Sequence, residues 1–141
     1  MTPAQAAKAL GATLRPMGED PDSEACWITE RVDGKAPGIW YMVENGHITR
    51  IDIGLDQDSG QAADIRSDKG IGLGASEQDV RRAYGKALKV SPHPYGGPQD
   101  HYLLIDSKDG KTGMLFEVEG GKVTTFRVGR HPAVDYSEGC S

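Results

Sequence analysis

A chain of 141 residues is the usual size of one domain, or of two small units sharing a core. Charged residues make up 26% of it, hydrophobic residues 37% and aromatics only 6%, so the chain is globular with a modest core. A net charge of −5, with Lys and Arg scattered, argues against a nucleic-acid-binding surface, which needs a basic stripe. No apolar run approaches the roughly 18 residues that span a bilayer, so no transmembrane segment is expected.

The first predicted element is a helix in TPAQAAKALG. Thr2 is the N-cap, Pro3 takes the first helical position, Gln5 completes a capping box and Gly11 supplies the stop. A polar loop, GEDPDSE at 18–24, follows. Strands are then predicted in CWITERV (26–32), GIWYMVE (38–44) and HITRIDIG (47–54). They are joined by turns at Asp33-Gly34-Lys35 and Asn45-Gly46, both strong hairpin signals.

After a polar connector at 55–75 the same order returns. Ser76 caps SEQDVRRAYG, with Asp79 three residues on and Gly85 as the stop. The loop SPHPYGGPQD (91–100) leads to strands in YLLIDSK (102–108), GMLFEVE (113–119) and KVTTFRVG (122–129). Their turns are Asp109-Gly110-Lys111 and Gly120-Gly121. The stretches VENGHITRIDIG and VEGGKVTTFRVG bring out the likeness. The expected fold is therefore α+β: two tandem units, each a helix plus a three-stranded antiparallel sheet, repeating at about 75 residues, with the helices on one side of the sheet. The units span 1–54 and 76–141, the second carrying the C-terminal tail.

Alternation assigns Ile39, Tyr41, Val43, Ile51 and Ile53, with Met114, Phe116, Val118, Phe126 and Val128, to the face beneath the helices. The opposite face carries Trp40, Met42, Arg50 and Asp52, and Leu115, Glu117, Thr125 and Arg127. Apolar and aromatic residues among charges mark a binding surface. Trp40, Met42, Arg50, Leu115 and Arg127 are the expected contact residues, with Tyr95 on the 91–100 loop.

Cys26 and Cys140 are expected to form a disulfide tying the tail to the first half; the competing reading is two unrelated thiols. A disulfide implies an oxidising compartment, periplasmic or secreted, with a leader trimmed ahead of Met1. No cysteine–histidine set has zinc spacing, and the acidic stretches lack calcium-loop spacing, so neither a metal nor a cofactor is expected. GIGLGA (70–75) lacks the strand context of a dinucleotide fingerprint. The alternative site is the loop flanked by His93 and His101, which would suit a small ligand, a metal or a small hydrolase.

The run GIGLGASEQDVRRAYG carries a resemblance. Its Gly-hydrophobic-Gly lead-in, Ser cap, Val at the fifth position and terminal Tyr-Gly resemble the helix-then-sheet module of BamE/SmpA-type outer-membrane assembly lipoproteins. Two such modules in tandem resemble the beta-lactamase inhibitor protein family (BLIP-like). The resemblance implies a non-enzymatic protein that works outside the cytoplasm by gripping another protein with its sheet. The partner it implies is a secreted or envelope enzyme, and the role is that of an inhibitor, an immunity-type protein or an assembly factor.

Overall fold

The computed structural model describes residues 1–17 and 25–140. The polar loop expected at 18–24 lies outside the described residues. Helix α1 covers Pro3–Leu10 and α2 covers Glu77–Tyr84. The strands are β1 (Leu14–Met17), β2 (Cys26–Arg31), β3 (Ile39–Glu44), β4 (His47–Ile53), β5 (Lys89–Pro92), β6 (His101–Asp106), β7 (Thr112–Glu119) and β8 (Lys122–Arg130).

All eight strands form one antiparallel sheet in the order β1-β2-β3-β4-β8-β7-β6-β5. The expected pair of repeated helix-plus-three-strand units is thereby corrected. β4 and β8 pair directly, from Arg50–Gly129 to Ile53–Phe126, so the sheet is continuous across the middle of the chain. Gly129 permits that seam, because a Cβ there would meet the Thr49 carbonyl oxygen at 2.5 Å. Two further strands, β1 and β5, carried no signal in the sequence. LRPM and KVSP are four residues each, contain proline and are mostly exposed, as edge strands are.

Local chemistry explains the elements. In α1 the Thr2 Oγ1 accepts from the Gln5 N–H (3.2 Å), and the Gln5 Oε1 accepts from the Thr2 N–H (2.9 Å). Gly11 closes the helix at φ 61°. The Ser76 Oγ accepts from the Asp79 N–H at the start of α2 (3.1 Å). Asn45 and Gly46 both have positive φ (50° and 79°), the conformation a two-residue hairpin requires.

Both helices pack on one face. Phe116 is the centre of the core there, with Leu103, Val118, Val123, Phe126, Ile53 and Val80 buried around it. The connector joins the same cluster through Ile71, and the Gly74 N–H and Ala75 carbonyl hydrogen-bond to Val123. The other face is crossed by the C-terminal segment, residues 131–140, which includes a short 3-10 turn at Ala133–Asp135. We call this segment the strap. The bond between Cys26 and Cys140 fastens its end to β2. Among the described residues no helix is long and apolar enough to cross a membrane.

Candidate functional site

Two surfaces follow from this arrangement, one on each face of the sheet. On the helix side, Tyr41, Ile51, Val128, Met114 and Ile105 form one cross-strand ladder running over β3, β4, β8, β7 and β6. In a sheet of this size such a row needs a cover. The two helices supply it only in part: Tyr41 is buried, whereas Ile51, Val128, Met114 and Ile105 are half-buried. α1 buries only Ala6, since most of its inward residues are alanines, and α2 buries only Val80. An open trough of about 530 Å³ therefore remains over Ile51, Val128, Met114 and Ile105, with Tyr84 as a wall. A smaller space of about 400 Å³ lies under α1, against Tyr41, Ile48 and Ile51, and adjoins the trough at the two isoleucines. At the lip stands Arg130, exposed and without an ion-pair partner among the described residues. Across from it, Asp68 accepts from the Tyr84 hydroxyl at 3.0 Å.

The opposite face is where the sequence placed the contact residues. Met42, Leu115, Arg50 and Arg127 are 1%, 3%, 5% and 2% exposed. They lie beneath or beside the strap rather than on open surface, which corrects the expectation of an exposed sheet face. The physical reason is the tail itself, whose Val134 is buried against Leu115 and Tyr102 and whose Ala133 is buried too. Trp40 is half-buried on the same face, close to Gly54 and Thr125. Tyr95 is exposed on its loop, and its hydroxyl donates to Glu138 of the strap.

Both arginines are held from two sides. The Arg50 guanidinium donates to Asp52 (2.6–3.0 Å) and to the carbonyls of Ala133 (3.1 Å) and Tyr136 (2.6 Å). Arg127 donates to Glu117 (2.7 Å) and to the Val134 carbonyl (2.6 Å), and lies over the Tyr102 ring. Burial pushes the Glu117 carboxyl up, but hydrogen bonds from Thr125 and Arg127 outweigh it and hold the group below its ordinary range. Tyr102 is pushed up by burial and by the neighbouring Glu117. The sequence marked Arg50 and Arg127 as a pair on one face. Nothing in the pattern announced that the chain's own end would cover them.

The alternative site divides. The His101 Nδ1–H donates to the Glu77 carboxylate of α2 (2.6 Å), on the helix side. His93 packs edge-on against Tyr102 on the strap side, facing Glu119 (3.4 Å). The two histidines flanking the loop therefore serve opposite faces. Among the described residues no group of three or more His, Cys, Asp or Glu side chains is arranged to hold a metal ion.

A third histidine was not singled out by the sequence. His131, the first strap residue, sits between Asp135 (2.6 Å from Nδ1) and Asp106 (2.6 Å from Nε2), and Lys89 holds the other oxygen of Asp106 (2.6 Å). Gly113 makes the room, since a Cβ there would lie 3.1 Å from the ring. Asp135 first, and Asp106 with it, raise the His131 pKa above 6.5. A raised folded-state pKa stabilises fully below the unfolded value and is lost as pH rises through the folded value. Stability of the strap's attachment is thus expected to decline as pH rises past about 6.5. Proton NMR titration should place the His131 midpoint above that value, and His131→Gln should flatten the decline. Stability that is unchanged across this window contradicts the assignment.

No family model matches the chain, and no curated protein or solved structure matches it either.

Proposed function

We propose that this chain is a non-enzymatic protein-binding module of the cell envelope or exterior, and that its receptor surface is the trough between the helices. The observation that carries the reading is the half-buried apolar floor of Ile51, Val128, Met114 and Ile105, which the helices cover only in part, at the middle of a disulfide-tied sheet. An open apolar trough that the chain itself covers only in part is a feature of sites that another protein covers. The disulfide supports the extracytoplasmic placement. The lip supplies the partner's chemistry: a segment that places apolar side chains over Val128 and Met114 and a carboxylate at the unpaired Arg130. An inhibitor, an immunity-type protein and an assembly factor would each use such a surface. The division of His93 and His101 between the two faces supports this reading over a loop-centred small-ligand site or hydrolase.

The test starts from capture of envelope and secreted proteins on the oxidised chain, which only supplies a partner. Affinity for that partner is then measured for variants. Val128→Asp is expected to weaken binding by about 30-fold or more, the weight of a central interface residue. Arg130→Glu, at an exposed position, should weaken it by roughly tenfold and reduce its salt sensitivity. Tyr95→Ala should leave it unchanged. Full affinity in Val128→Asp, with the sheet amides still protected, rules the trough out.

A further inference from the structure

The strap side of the sheet has the chemistry of a second receptor surface, in use by the chain itself. What the strap offers is main chain. The Ala133, Val134 and Tyr136 carbonyls accept from Arg50 and Arg127, and only Ala133 and Val134 bury their side chains there. Pro132, Asp135, Tyr136, Ser137 and Glu138 are exposed. The sheet does not need these carbonyls to balance charge. Arg50 keeps Asp52 and Arg127 keeps Glu117 on the sheet itself, so both guanidinium charges stay paired when the strap leaves. Nor does the strap exhaust the surface. Arg127 Nη2, the Tyr102 hydroxyl and His93 Nε2 are buried without a hydrogen-bond partner. His93 Nδ1 accepts from the Tyr95 N–H, so in the neutral ring Nε2 carries the hydrogen. Tyr102 interacts with the Glu117 carboxylate and His93 Nε2 lies 3.4 Å from Glu119, so Arg127 Nη2 is the buried donor that can serve an acceptor the strap does not bring.

We propose that this face is a latent binding surface for an extended peptide segment, recognised by its main-chain carbonyls and a pair of small apolar side chains, and that the strap occupies it in cis with the Cys26–Cys140 bond as latch. Release is a dithiol exchange. One thiolate of a dithiol reductant attacks Cys140 Sγ and expels the Cys26 thiolate. The reductant's second thiol then displaces Cys140 and leaves as a cyclic disulfide. Two electrons and two protons pass to the protein, which ends with two thiols. Both cysteines are only partly buried, which allows access.

The test uses the full chain and a synthetic peptide of residues 131–139, HPAVDYSEG. Three states are compared: oxidised wild type, wild type reduced with dithiothreitol, and oxidised Val134→Asp, in which the latch is intact but the strap has lost its anchor. The oxidised wild type should bind no peptide. The other two should show strap amides exchanging at least about tenfold faster and should bind the peptide saturably, with the β7 and β8 amides still protected. A peptide carrying the Val134→Asp change should bind roughly tenfold or more weakly. Strap amides that stay protected in both states show a permanent cover and overturn the proposal. A released strap with no peptide binding overturns the receptor. Loss of β7 and β8 protection on release shows the strap to be part of the fold and overturns it too.

Discussion

The double replacement Cys26→Ser, Cys140→Ser is expected to lower the free energy of unfolding by about 4–5 kcal/mol. The bond joins positions separated by 114 residues, nearly the whole chain. Closing a loop of that length removes much conformational freedom from the unfolded state, and the chain-entropy estimate for such a loop is about 4.7 kcal/mol. Against a total of roughly 5–15 kcal/mol for a domain of this kind, the protein remains folded at 25 °C but melts well below the wild type. Urea unfolding of the oxidised protein and the variant measures the difference. A loss under about 1 kcal/mol would mean that the unfolded chain gains little from the tether, contrary to the loop-length argument.

Glu117→Leu is expected to cost about 3–5 kcal/mol, the usual result of removing one partner from a buried ion pair. The carboxylate accepts from Thr125 (2.7 Å) and Arg127 (2.7 Å), and the Arg127 side chain is 3% exposed. Without Glu117 the guanidinium stays buried with a single carbonyl, that of Val134, as its hydrogen-bond acceptor. Adding Arg127→Met should recover most of the loss, because the uncompensated charge goes with it. The same pair sets an acid limit. Glu117 titrates below its ordinary value in the folded state, so its contribution is present above about 4.5 and is lost as pH falls through the folded value. A single variant as stable as wild type would show that water already reaches Arg127.

Much of the fold was legible because each turn and cap carries its own local chemistry. Thr2 with Gln5, Ser76, Asn45-Gly46 and Asp109-Gly110 announce helix starts and hairpins within four residues of sequence. Alternation then sorted Tyr41, Ile51, Phe116 and Val128 onto one face, because a strand's side chains point in turn to either side. Three things were not legible. β1 and β5 are too short and too exposed to alternate, and they mark the sheet's edges. The β4–β8 seam is a contact between residues far apart in sequence, and no local signal encodes it. The strap was expected as a tail tied at Cys140, but its course over the sheet was not, because HPAVDYSEG has no periodicity. It holds its place through carbonyls and two small side chains, neither of which a pattern of apolar residues reveals. For that reason the residue types of the candidate surface were found while its exposure was misjudged. Met42, Arg50, Leu115 and Arg127 do form one face, and the chain covers it with its own end. The half-covered part of the ladder on the other side was taken as ordinary core, since sequence alternation does not show how small a footprint an alanine-rich helix leaves.

The central claim, that another protein docks in the trough, is tested most directly by site-specific photo-cross-linking within the complex. A photoreactive side chain is placed at Met114 on the trough floor in one version and at Trp40 on the strap side in another. The account predicts that the partner is joined to the chain from position 114 and not from position 40. Cross-linking from position 40 alone, or equal yields from both, would contradict it.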